Sequence, residues 1–256
     1  MITIKTITII GTGNVATHLG KALLKNGYSI NQIYSQTKDN AFSLASKLNA
    51  MPCDNVKYLT DESDLYLICI KDDFIEGFAE QISFTNKLIV HTSGSISIDV
   101  LRKFDHYGIL YPLQTFSKEQ SIDISLLPFC IEANNSEAEQ SLFKLGKNLS
   151  KSVYHINSEQ RKKIHLAAVF ACNFSNYMYT ISEDFLTQNN IDFNILKPLI
   201  LETAKKIQYG SAKSMQTGPA NRNDEEVIKN HLEMLANNKD YQDIYKIITA
   251  SIIRDN

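Results

Sequence analysis

The chain has 256 residues, 43% hydrophobic and 21% charged, and its 26 basic and 28 acidic residues leave a formal net charge of −2. That length holds one large domain or two modest ones with a real core. The balanced charge, free of long runs of one sign, argues against a basic face that binds nucleic acid through counterion release.

Cys53, Cys69, Cys130 and Cys172 stand far apart with no C-x-x-C pair. This argues against a disulfide framework or a zinc site, and no metal is expected. Buried thiols in a reducing compartment are the simpler expectation. The opening Thr6–Ile10 run is too short for a signal-peptide core and meets glycines without a cleavage site. Leu166–Cys172 falls far short of the roughly 20 residues that span a bilayer. The expectation is a soluble, cytoplasmic protein with no membrane partner.

In chain order, Ile4–Ile10 reads as a strand stopped by Gly11-Thr12-Gly13, and Val15–Lys25 has helical spacing closed by Asn26-Gly27. A strand at Ile30–Ser35 and a helix at Ala41–Leu48 come next. Leu65–Ile70 is a continuous apolar hexapeptide of the kind found in a parallel strand buried on both faces. Further strands are predicted at Leu88–His91, Gly108–Leu110, Phe129–Ala133 and Ser152–Ile156, with a helix at Ser136–Leu149. This alternation predicts an α/β fold, a Rossmann-type doubly wound parallel sheet.

Strand signals end near residue 157. Ser158 starts a long helical pattern with apolar positions Ile164, Ala168, Ala171, Phe174, Met178, Ile181 and Phe185. Helices at Leu196–Gly210, Asp224–Ala236 and Tyr241–Ile253 complete an all-helical C-terminal domain. The expected division is 1–156 for the dinucleotide-binding domain and 157–256 for a helical substrate and dimerisation domain.

The turn Gly11-Thr12-Gly13-Asn14-Val15-Ala16 lies between the first strand and the first helix. Its first glycine permits the tight turn, the second admits a pyrophosphate, and Ala16 allows close packing of helix on strand. The helix N-terminus offers free N–H groups and a positive dipole end. A purely structural turn and the glycine loop of S-adenosylmethionine methyltransferases are the other readings of this pattern. NAD-binding domains end their second strand with an acid, whereas Tyr34-Ser35-Gln36-Thr37-Lys38 has none. Ser35 and Thr37 could donate to a 2′-phosphate and Lys38 could pair with its charge, which favours NADP over NAD. Hydrogen bonds to a charged group are worth about 1.5–3 kcal/mol each, enough for about 100-fold selectivity from two. The strand ends at Ile70-Lys71 and Thr92-Ser93-Gly94 should also face the cofactor, because ligands sit outside the carboxyl ends of strands.

On the long helix, positions 162, 165, 169, 173, 176 and 180 share one side. His165 and Asn173 are two turns apart, about 12 Å along the axis. Reduction of C=O or C=N needs a proton donor beside the hydride donor, which suits His165, with Asn173 orienting the substrate. Lys163 lies about 160° round the helix from His165 and joins only if the cleft wraps the helix. A bystander role for His165 and a helix–helix role for Asn173 are the plainer alternatives.

Together with the glycine turn, four segments carry a family resemblance: His91-Thr-Ser-Gly-Ser95, Tyr111-Pro-Leu-Gln-Thr-Phe116, His165-Leu-Ala-Ala-Val-Phe-Ala-Cys-Asn173 and Thr217-Gly-Pro-Ala-Asn-Arg-Asn-Asp224. Nearly the whole chain resembles the Rossmann-like NADP oxidoreductases with a C-terminal domain of unknown function. These are related to pyrroline-5-carboxylate reductase and, more distantly, to 6-phosphogluconate dehydrogenase-like proteins. The resemblance implies a cofactor-binding domain and a helical domain with the active cleft between them, and a homodimer formed by the helical domain. The leading reading of the residues is an NADP(H)-dependent enzyme moving a hydride to or from a small polar carbonyl, imine or hydroxy acid. Gln114 and Thr115 are candidate substrate contacts, and the turn-rich Thr217-Gly-Pro stretch could return Arg222 to the cleft mouth to hold a carboxylate or phosphate. A capped inter-helix turn with Arg222 in an ion pair is the plainer reading. Tyr111 departs from the His that often precedes Pro-Leu in relatives, and Asn223 from the Gly of a common Arg-Gly-Asp. A non-catalytic NADP(H) sensor is the competing class.

Overall fold

The computed structural model describes residues 1–117 and 122–255. Its first part is built on strands β1 (Thr6–Ile10), β2 (Ser29–Tyr34), β3 (Met51–Cys53), β4 (Leu65–Ile68), β5 (Leu88–His91), β6 (His106–Pro112), β7 (Phe129–Ala133) and β8 (Val153–His155). These form one sheet in the order β3-β2-β1-β4-β5-β6-β7-β8. The order reverses at β1, so the chain builds outward first on one side and then on the other. Pairing is parallel from β3 through to β6, as the apolar hexapeptide at 65–70 predicts. One edge departs from the parallel pattern. β7 runs antiparallel to β6, with Leu110 opposite Ile131, and β8 is parallel to β7.

Helices α1 (Asn14–Lys25), α2 (Lys38–Leu48), α3 (Ile75–Ala79) and α4 (Ser136–Leu149) cover the sheet. Strands β4 and β5 are buried at every position, and Ile7, Ile9, Leu19, Leu23, Leu65, Leu67 and Phe129 belong to the main core. Each such aliphatic side chain stabilises the fold by roughly 1.5–3 kcal/mol relative to exposure. The short β3 was not foreseen: Met51-Pro-Cys lacks an alternating pattern, and its place comes from pairing with β2.

The helix after β8 is not one continuous α-helix. It consists of α5 (Ser158–Ala168), a π-helical segment at Val169–Phe174 and α6 (Ser175–Gln188). Packing divides the chain into Met1–Asn173 and Phe174–Asn256. The boundary expected at 156/157 tracks the change in secondary structure, whereas the packing boundary lies at the π segment. α5 stays with the sheet because Arg161 near its start is wholly buried there. The second unit also contains α7 (Lys197–Lys206), α8 (Glu225–Met234) and α9 (Lys239–Asp255). None of its helices α6 to α9 contains a fully buried residue. No helix of the described residues is long and apolar enough to cross a membrane.

Candidate functional site

The turn after β1 has the shape its sequence requires. Gly11 takes φ +112, and a Cβ there would collide with the Cys69 carbonyl. Its N–H donates to the Tyr34 carbonyl at 2.8 Å, which ties the ends of β1 and β2 together. Gly13 is the N-cap of α1 and supplies no side-chain cap, and the first turn carries no acid. The first N–H groups of such a helix lack intrahelical acceptors and form an anion site. Asn14 turns its side chain away, donating to the Phe116 carbonyl at 2.6 Å, so only its backbone is free for a phosphate. Val15 packs on the core and Ala16 is buried.

Beside this turn lies a cavity of about 490 Å³. Gly11, Thr12 and Gly13, the β2 end at Ser35 and Thr37, and Ile70 and Lys71 after β4 all border it. The size suits a cofactor portion. With the uncapped helix and the glycine that admits no side chain, these residues fit a dinucleotide. Thr12 Oγ1 donates to Ser35 Oγ at 3.5 Å, and Ser35 Oγ accepts the Thr37 N–H at 3.3 Å. Lys38 is placed differently from Ser35 and Thr37. It lines a separate small hollow with Asp54, so Lys71 is the cation on the wall of the large cavity.

Past the end of β5, the chain folds back on its own side chains. Ser93 Oγ accepts the N–H groups of Ser95 and Ile96 at 3.1 Å each, and the Ser95 hydroxyl donates to the Asp72 carboxylate. The Thr92 hydroxyl donates to the Ile68 carbonyl at 3.4 Å. These hydroxyls are spent on the turn, and Thr92, Ser93 and Gly94 are all buried. His91 is buried, its Nδ1 accepting the Ser93 N–H at 3.2 Å. Burial first, and then the Arg161 cation, push its pKa down to about 4, so it is neutral at pH 7.

Helix α5 brings two side chains to this turn. A capping box between Asn157 and Gln160 starts it. Arg161 then reaches inward to Glu132 of β7 at 2.6 Å, to the Ile96 carbonyl and to Ser158 Oγ at 3.1 Å. One turn later, His165 lies against Gly94, where an added Cβ would fall 2.6 Å from its Nδ1. Nδ1 is also 3.1 Å from the Tyr111 hydroxyl. Burial, reinforced by Cys130, Asp72 and Cys172 and opposed by Arg161, pushes the Tyr111 phenol up to about 12.

Of the residues expected at a site, this arrangement contains His165 and Gly94, while Arg161 and Tyr111 also belong to it and are not among those expected residues. Arg161 stands in a run of three basic residues that looks solvated, and Tyr111 lies inside an apolar strand. The polar residue preceding Pro112 was the available signal for Tyr111. Lys163 and Asn173 are exposed, and among the described residues no hydrogen bond joins either to His165. The single stripe from 162 to 180 requires an unbroken α-helix, and the wider π turn at 169–174 shifts the register of the helical turns beyond it. Cys172 is exposed, unlike the other three cysteines, which corrects the expectation of four buried thiols. Gln114 and Thr115 are exposed, and Gln114 Oε1 accepts the Thr115 N–H at 2.8 Å. Arg222 belongs to the second unit, exposed on a turn that ends with Asn223 at φ 51.

Two family models match the chain. One, described as NADP oxidoreductase, coenzyme F420-dependent, covers residues 6–95, and the other, a domain of unknown function, covers 127–252. The crystal structure named putative NADP oxidoreductase BF3122 from Bacteroides fragilis is 41% identical, with a TM-score of 0.93, covering 99% of this chain and 100% of that one. A reductive aminase from Aspergillus terreus, in complex with NADPH and ethyl levulinate, is 13% identical, with a TM-score of 0.74 over 99% of this chain and 95% of its own. A 1-pyrroline-5-carboxylate reductase from Streptococcus pyogenes is 17% identical, with a TM-score of 0.62 over 97% and 98%. The last two likenesses are of fold. A search of curated proteins found no match.

Proposed function

The chain belongs to the NADP oxidoreductase family of the Bacteroides fragilis protein, and we propose that it reduces a C=N or C=O bond of a small polar substrate with NADPH. The observation that carries the reading is the seat of the His165 imidazole against Gly94, just beyond the carboxyl end of β5. In a doubly wound sheet that is the edge where a ligand lies. The glycine turn is at the carboxyl end of β1 on the same edge.

In this proposal, the backbone N–H groups of the Gly11–Ala16 turn hold the pyrophosphate, and Ser35 and Thr37 meet the 2′-phosphate, with Lys38 a more distant charge. Ile70, Lys71, Thr92, Ser93 and Gly94 border the nicotinamide half. NADPH, when bound, supplies the hydride to the substrate carbon. His165 donates a hydrogen bond from Nε2–H to the nitrogen or oxygen that receives the bond's electron pair, and water supplies the proton that completes the amine or alcohol. The same groups serve oxidation of a hydroxy acid in reverse. An imine is the favoured substrate, since the reductive aminase and the pyrroline-5-carboxylate reductase that share the fold carry C=N chemistry in their names. Lys163 and Asn173, both exposed, are given no step in this proposal.

Gln114, Thr115 and Arg222 remain candidate substrate contacts, and a homodimer through the helical unit belongs to the same proposal. Ile195, Leu199, Leu201 and Ile247 there are more than half exposed, an apolar surface that a second copy would cover. The first test is a fluorescence titration of the full chain with NADPH and NADH in parallel, and then turnover on a panel of cyclic imines, keto acids and aldehydes. Tight NADPH binding with turnover that falls at least tenfold in His165→Ala supports the reading. NADPH binding without turnover on any panel member favours a sensor, and binding of neither nucleotide overturns the proposal.

A further inference from the structure

The Tyr111 hydroxyl and His165 Nδ1 are 3.1 Å apart, and the direction of that bond decides which nitrogen of the imidazole carries its proton. A buried phenol needs an acceptor for its own proton. Tyr111 is 9% exposed, and among the described residues the only hydrogen bond of its hydroxyl is to His165. The Asp72 carboxylate contributes to the field at Tyr111 but makes no hydrogen bond to its hydroxyl among the described residues. If Nδ1 carried the hydrogen and donated to the phenol, the phenol proton would have no protein acceptor. The bond therefore runs from Tyr111 to Nδ1.

We propose that Tyr111 is a positioning residue for His165, its hydroxyl donating to Nδ1 and holding the neutral ring in the tautomer that has its hydrogen on Nε2. This rests on the reading that His165 donates to the reacting nitrogen or oxygen and gives that reading an atom. Nδ1 is closed off by Tyr111 on one side and by the Gly94 backbone on another, so the reacting nitrogen is Nε2, across the ring. Tyr111 does not donate to substrate itself. Its surroundings keep the phenol protonated: burial, the Cys130 thiol and the Asp72 carboxylate all disfavour the phenolate, and only Arg161 opposes them among the larger influences. Its contribution is to fix the ring's rotation and tautomer before substrate arrives, as pre-organised sites do.

The test is a long-range proton–nitrogen NMR correlation on the full chain with nitrogen-15 histidine at pH 8, the His165 signals assigned by their loss in His165→Gln. The expected pattern is a protonated Nε2 and an unprotonated Nδ1. In Tyr111→Phe, the pattern should become a mixture of tautomers. Turnover should fall about tenfold, with substrate KM and NADPH affinity within twofold of wild type. A wild-type ring carrying its hydrogen on Nδ1, or an unchanged pattern in Tyr111→Phe, overturns the inference. Should Tyr111→Phe not fold, the wild-type spectrum still decides. Full turnover in His165→Ala would sink the assignment of His165 to the reacting nitrogen or oxygen whatever the tautomer, whereas a crippled His165→Ala together with a wild-type ring of mixed tautomers sinks this inference alone.

Discussion

A methyl group built on Gly94 would stand 2.6 Å from Nδ1 of His165 and 2.8 Å from Cζ of Tyr111. The glycine is thus required by the side chains above it, and no positive φ is involved, since Gly94 is absent from the residues with one. Gly94→Ala must push the imidazole and the phenol apart or displace α5. Overpacking of this kind costs about 1–3 kcal/mol. The expected result is a lower melting temperature in calorimetry together with at least a tenfold loss of turnover. Wild-type values for both would mean that the His165–Gly94 contact does not hold in solution.

The Arg161–Glu132 pair fastens α5 to β7, and with it the position of His165 one turn further on. Arg161 is fully buried and its Glu132 partner is 17% exposed at the side chain. Removing one member of a buried pair leaves a charge without its counterion, at a cost of about 3–5 kcal/mol. Glu132→Gln should therefore destabilise strongly in urea denaturation. Arg161→Met with Glu132→Leu should recover much of that loss, because both charges leave together. A double variant no more stable than Glu132→Gln would show that the Ile96 carbonyl and Ser158, not the ion pair, are the main partners of Arg161.

His91 gives stability a pH dependence of known sign. Its folded pKa of about 4 lies below the ordinary histidine value of about 6.5, so between these the unfolded chain binds the extra proton. Stability is unaffected above pH 6.5, falls as pH drops through the window, and levels off below about 4. The full loss is about 3 kcal/mol. Urea midpoints at pH 7.5 and 4.5 should differ accordingly, and His91→Gln should flatten the difference by about one proton. Equal slopes in both proteins would mean that His91 is protonated in the folded state.

Much of this arrangement was legible in the residues. The Gly11–Ala16 turn and the apolar strands at 65–70 and 88–91 are local patterns, and each reports its element directly. His165 was legible as a polar residue on an amphipathic helix. What failed was extrapolation along that helix. Nothing in Val169–Phe174 distinguishes π from α turns by propensity, so the alignment of Asn173 with His165 rested on a period that the chain does not keep. Arg161 was illegible for a different reason: its burial depends on Glu132, 29 residues earlier on an edge strand. Lys38 shows the same limit. Its spacing from the glycine turn suits a phosphate, yet the start of α2 places it on the hollow with Asp54.

That placement separates two explanations of nucleotide preference. Ser35 and Thr37 border the large cavity, while Lys38 is exposed and set apart from it. A carboxylate at the end of β2 would repel a 2′-phosphate and accept hydrogen bonds from the unphosphorylated ribose. Ser35→Asp should therefore lower the ratio of NADPH to NADH affinity by about 100-fold, a shift of about 2.7 kcal/mol. Lys38→Glu acts through solvent and is screened by salt, so its effect should stay below about tenfold and shrink further at high ionic strength. The two variants, titrated by nucleotide fluorescence at low and high salt, rank the contributions. A larger effect from Lys38→Glu would place the phosphate beside Lys38 and take Ser35 out of its recognition.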